Sequence, residues 1–138
     1  MMHITTALQN ILIDHAQQGY PHEVVGILAG SRANNHITKV YPLINERADT
    51  HNRYQVSALT LMRAEQSLEA EGFEIIGYYH SHPDHSAQFS DYDRDHALPN
   101  MSYLILSIQN GTFQNMSSWR LREDRSTMDP ETITLTHL

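Results

Sequence analysis

FEIIGYYHSHPDHSAQFSDYDRD, residues 73 to 95, decides the architecture of this chain. Phe73 to His82 is a run dominated by apolar and aromatic residues, the pattern of a buried strand. Pro83 ends the run, because proline cannot donate to a strand ladder. Ser90 then opens a short helix ending near Leu98-Pro99, with Asp93 three residues in, the spacing of a helix capping box. A buried strand, a turn and a capped helix are expected, with three histidines and four aspartates between residues 80 and 95.

Outward from this stretch the pattern alternates. Residues 5 to 18 place Leu8, Ile11, Leu12 and Ala16 at helical spacing, stopped by Gly19-Tyr20-Pro21. VVGILAG (24–30) and HITKVYPLI (36–44) read as two strands of a hairpin around the turn-rich SRANN. NERADTHNRYQ (45–55) is polar and aperiodic, a surface loop. Ser57 caps a helix through about Glu71, with Ala58, Leu61, Met62 and Leu68 inward and Gly72 beyond its end. SYLILSI (102–108) is a second buried strand, and SSWRLR and TITLT are late strands. These elements imply an α/β (α+β) fold, a mixed central β-sheet flanked by helices, with 1–138 as a single domain.

A chain of 138 residues buries roughly 70% of its unfolded surface without needing a disulfide or a structural metal. A metal site in it is therefore expected to be catalytic. The formal charge is −7, Lys39 is the only lysine, and the arginines are scattered apart from Arg120, Arg122 and Arg125. Nucleic acid is not an expected partner, since a phosphate backbone demands a basic face. The absence of cysteine excludes thiolate metal sites, disulfides and a cysteine nucleophile together. MMHITTALQNILIDH has neither a basic n-region nor a long apolar core, so no signal peptide or membrane span is expected and the cytoplasm is the default.

His80 and His82 lie two apart on a strand, so both side chains face the same way and both imidazoles can reach one ion at about 2.0–2.1 Å. Asp93, on the following helix, can fold back over the pair as a third ligand. Two histidines, a carboxylate and a water make an open zinc site. Ten histidines in the chain also make a chance His-x-His ordinary, and Ser90-x-x-Asp93 has a plain capping role. The same residues fit a second pattern, His80-x-His82-x-Asp84-His85, the box of metallo-β-lactamase-type hydrolases. Those enzymes need further downstream ligands, and only His96 and His137 follow His85. Glu74 is six residues before His80 on the same strand, roughly 20 Å away at about 3.3 Å per residue, too far to serve as a base there.

His80-Ser81-His82-Pro83, followed by Ser90-x-x-Asp93, resembles the JAMM motif of the MPN (Jab/MPN) metalloprotease family. Glu23-Val-Val-Gly26-Ile-Leu28-Ala-Gly30 resembles that family's upstream segment. The likeness is to the small stand-alone prokaryotic type and runs from the first helix to the strand after the motif.

The resemblance implies a cytidine-deaminase-like architecture and one catalytic Zn2+ on His80, His82 and Asp93. It also implies Glu23 as the general base and Ser90 as the oxyanion donor. Ser81 is expected to face away and support the strand, and His85 to line the cleft mouth. The implied activity is hydrolysis of an amide bond after the C-terminal Gly-Gly tail of a ubiquitin-like or sulfur-carrier protein, with Tyr78, Phe89 and Tyr92 as cleft walls or simple packing. A non-catalytic MPN-type scaffold is the alternative. Nothing in the residue pattern specifies an oligomeric state or decides between a peptide and an isopeptide bond.

Overall fold

The computed structural model describes residues 1–46 and 55–137. Of the loop expected at 45–55, residues 47–54 lie outside the described residues. The described residues form β1 (Met2–Thr5), α1 (Thr6–Gly19), β2 (Val25–Ser31), β3 (His36–Leu43), α2 (Ala58–Ala70), β4 (Glu74–Pro83), α3 (Asp91–His96), β5 (Ser102–Gln109), β6 (Thr112–Leu121), β7 (Met128–Glu131) and β8 (Ile133–Thr136). The strands make one mixed sheet in the order β7-β6-β5-β4-β2-β3-β1-β8. β2 and β3 are the expected antiparallel hairpin, whereas β4 and β5 pair in parallel, with His80 beside Ile105 and His82 beside Ser107.

Strand alternation sends successive side chains of β2 to opposite faces. Leu28 joins Leu12 and Ala16 of α1 in one core, while Ile27 and Ala29 join Ala64 and Leu68 of α2 in another. The two long helices therefore cover opposite faces of the sheet. β5 serves both sides, which is why its sequence is continuously apolar: Leu104, Ile105, Leu106 and Ile108 are all fully buried. Each such side chain contributes about 1.5–3 kcal/mol when removed from water. At Gly26, any Cβ would run into the ring of the buried Tyr79, so the residue must be glycine for β2 and β4 to close.

Several expectations are corrected. Ile11 is 47% exposed on α1, and on α2 Ala58 and Met62 face solvent while Ala64 takes the inward place between Leu61 and Leu68. Two strands were not expected. β1 has only four residues and is stabilised by partners distant in sequence, β3 and β8. β7 contains Pro130, which is tolerated because β7 is an edge strand.

Candidate metal and catalytic site

The site forms where β2 and β4 meet. Their antiparallel register pairs Val25 with His80, and continuing it two residues brings Glu23 opposite His82. The Val24 N–H donates to Ser81 Oγ (2.9 Å) and the Ser81 N–H to the Val24 carbonyl (3.1 Å), which carries the pairing past the end of the regular ladder. Ser81 is fully buried and points away from the histidines, supporting the strand junction as its parity requires. Asp93 arrives from α3, whose capping box is complete: Ser90 Oγ accepts from the Asp93 N–H (3.1 Å), and Asp93 Oδ2 accepts from the Ser90 N–H (2.8 Å).

The carboxylate that caps the helix also meets both imidazoles. His80 Nε2 lies 3.1 Å from Asp93 Oδ1, and His82 Nε2 lies 3.2 Å from Asp93 Oδ2. The two Nε2 atoms are 3.2 Å from each other. A carboxylate oxygen of Glu23 and one nitrogen from each histidine all lie within 4.8 Å of one another. Glu23 is 5% exposed, His80 1% and Asp93 5%, so Glu23 is no ordinary solvated residue at a strand entrance.

This donor set fits a metal ion on chemical grounds. A backbone carbonyl only accepts, so the 2.8 Å contact from His82 Nδ1 to the Ser86 carbonyl puts the proton on Nδ1. The Nε2 lone pair is thereby turned toward His80 and Asp93, as in metal-binding histidines whose other nitrogen is held by a carbonyl. Two donors bonded to one tetrahedral ion at 2.0–2.1 Å stand roughly 3.3 Å apart, close to the observed separation of the Nε2 atoms.

Electrostatics follow from the burial. Desolvation pushes the His80 imidazole below its ordinary pKa, and the charge of Asp93 only partly opposes this. For His82 the same desolvation is outweighed by Asp93 and the Ser86 carbonyl, so its pKa rises. Burial also disfavours the charge on Asp93, but His80, His82 and the Ser90 N–H overcome that and hold it well below the usual carboxylate range. Asp93 is thus anionic near neutrality.

An open cleft of about 490 Å³ lies above these groups, lined by Glu23, His82, Ser90 and Asp93 with His85, Phe89 and Tyr92 among its walls. His85, Phe89 and Tyr92 lie where a cleft role requires. Tyr78 does not: it lines a neighbouring cavity of about 190 Å³ with Leu43, Leu61 and Tyr103. Glu74 sits at the far end of β4 and accepts from the Arg32 N–H. The metallo-β-lactamase-type pattern is not assembled. Asp84 turns outward to Tyr20 and Asn110, and His85 belongs to no metal-binding cluster among the described residues. Asn45, which donates to the Glu23 carbonyl (3.0 Å), had no signal in the sequence, because its neighbour lies 22 residues away.

The family described as prokaryotic homologs of the JAB domain matches residues 5–122. The chain belongs to this family. It is a small prokaryotic JAMM/MPN domain protein, in agreement with the paired motifs at Glu23–Gly30 and His80–Asp93. A desampylase of Haloferax volcanii is 32% identical over 101 residues, covering 70% of this chain and 73% of the relative. A probable TtuB-protein conjugate cleaving protease of Thermus thermophilus is 34% identical over 91 residues, covering 66% of this chain and 60% of the relative. Among solved structures, a JAB1/MPN domain protein from Archaeoglobus fulgidus superimposes with a TM-score of 0.64 over 99% of this chain and 98% of its own length. At 15% identity that likeness concerns the fold.

Proposed function

We propose that this protein, acting as a single domain, is a zinc-dependent peptidase or isopeptidase. Its substrate in this reading is the amide bond after the C-terminal Gly-Gly tail of a ubiquitin-like or sulfur-carrier protein. The observation that carries the reading is the convergence of Glu23, His80 and Asp93, all buried, with the partly exposed His82 beneath an open cleft. The enzyme class is that of a JAMM-type metalloprotease. Support for protein conjugates as substrates comes from the two curated relatives, named as a desampylase and a conjugate-cleaving protease.

His80, His82 and Asp93 would hold the ion, and the buried carboxylate would offset part of its charge. When bound, zinc supplies Lewis acidity, which makes water acidic near neutral pH and polarises an amide carbonyl. Glu23, opposite His82, accepts the proton of the attacking water and returns it to the leaving amine as the C–N bond breaks. Ser90 Oγ accepts from the Asp93 N–H, which leaves its hydroxyl proton as the one it can donate to the developing oxyanion. Phe89 and Tyr92 line the cleft beside Ser90, and a tail without side chains suits such walls.

Mass spectrometry of a carrier protein ending in Gly-Gly-X tests this directly. Cleavage after the second glycine, stopped by a zinc chelator and restored by zinc, is the expected result. Equal rates after bulky residues replace both glycines would overturn the substrate class.

A further inference from the structure

Glu23 sits in the segment between α1 and β2, residues 20 to 24, which belongs to no helix or strand. Two local hydrogen bonds, the Tyr20 N–H to the Gln17 carbonyl and the His22 N–H to that of Gly19, tie the start of this segment to α1. Among the described residues, hydrogen bonds on both sides of Glu23 hold it to the histidine strand and to the turn that follows. On the C-terminal side of Glu23, Val24 exchanges hydrogen bonds with Ser81. On the N-terminal side, the Tyr20 hydroxyl donates to both carboxylate oxygens of Asp84, at 3.0 and 2.8 Å.

Asp84 is itself firmly held. Its N–H donates to the Ile108 carbonyl (2.6 Å), and its Oδ1 accepts from the Asn110 N–H (2.9 Å). It adopts a left-handed backbone, φ 59°, that non-glycine residues rarely take. Ser81 and Asp84 thus bracket His82 in sequence, while their partners Val24 and Tyr20 bracket Glu23.

We propose that Tyr20 and Asp84 form a clasp that positions Glu23 against the His80–His82 pair. Both are positioning residues, acting through Glu23 and the turn after His82. The effect on rate rests on the reading of Glu23 as the general base; the clasp itself does not. A base works only within hydrogen-bond reach of its proton, and small displacements of reacting groups are expensive. Because Asp84 is exposed, water competes for the bond and the effect is moderate.

The test uses Tyr20→Phe, which removes only the hydroxyl, and Asp84→Gly, which removes the carboxylate without strain at a positive φ. It adds the double variant and Asp84→Asn, whose amide can still accept from Asn110 and pair with Tyr20. Three quantities are read: amide hydrogen exchange of residues 20–26, bound zinc, and kcat and KM on a Gly-Gly-tailed substrate. Both breaking variants are expected to exchange faster in that segment and to lose about three- to tenfold in kcat, with KM and zinc content kept. The double variant is expected to be no worse than Asp84→Gly alone, and Asp84→Asn to recover most of the rate. Unchanged exchange in Tyr20→Phe, or losses that multiply in the double variant, would overturn the clasp. If the unaltered protein cuts no Gly-Gly tail, the functional reading fails. The clasp is then decided by exchange alone, supported by a shared increase in both variants and overturned by none.

Discussion

Asp93 and Glu131 are both carboxylates with almost fully buried side chains, 4% and 3% exposed, yet they are satisfied in different ways. Glu131, on edge strand β7, collects hydroxyl hydrogen bonds from Ser102 (2.7 Å) and Ser118 (2.8 Å) on β5 and β6, and the Arg120 guanidinium lies 3.4 Å away. Those partners are simple donors, and the cluster needs nothing more. Asp93 instead faces two imidazole nitrogens that crowd each other at 3.2 Å, with Glu23 close by and an open cleft above. Burial of a charge does not by itself mark chemistry; what its partners can still bind does. Glu131 pins three strands together, whereas Asp93 leaves donor atoms pointed at a common centre.

The sharpest way to break this contrast is to change charge without changing shape. Glu23→Gln is expected to lower kcat by about 10²- to 10⁴-fold while zinc content, measured by elemental analysis, is retained. A variant that keeps its rate removes Glu23 from the chemistry. Ser90→Ala is the next largest: loss of an oxyanion donor of this kind costs about 10²–10³ in kcat. The same change removes the cap of α3, worth about 1 kcal/mol, so a small fall in unfolding free energy should accompany it.

Glu131→Gln should show the reverse profile. It is expected to lose about 1–3 kcal/mol in denaturant unfolding, because it leaves buried donors imperfectly matched, while kcat stays near its original value. A large loss of rate with intact stability would mean that the two carboxylates are not functionally distinct.

The smallest effect is in pH. Asp93 has a folded pKa held below its unfolded value of about 4, so its stabilisation is fully present above that value and lost as pH falls through the folded one. In metal-free protein, Asp93→Asn is therefore expected to shrink the stability loss below about pH 4, measured by denaturant titration at successive pH values. An unchanged acid limb would show that the imidazoles do not hold this carboxylate ionised.

The strands that carry the site were legible because their patterns are local. Phe73–His82 and Ser102–Ile108 are apolar enough to demand burial, and Ser90 with Asp93 announces a capped helix. What escaped was stabilised by distant partners. β1 is a four-residue strand held by residues over 30 positions away, and β7 carries a proline that only an edge position permits. Inward faces also differ from the expected ones where helical periodicity allows neighbouring choices, with Ala64 inward in place of Met62. Tyr78 and Tyr79 are adjacent in sequence, and strand alternation alone sends one toward a side cavity and the other into the core under α1.

By itself the sequence determined the donor types, their order, and the parity that sets His80 and His82 on one face, because side-chain direction along a strand has a period of two. The tertiary structure alone decided which carboxylates reach those imidazoles. Glu23 comes opposite His82 only through the β2–β4 register, and Asp93 folds back only because residues 84 to 87 are anchored on β5 and β6, through Ile108, Ser107 and Trp119. Sequence spacing cannot encode those distances, since they depend on contacts between segments brought together by the sheet.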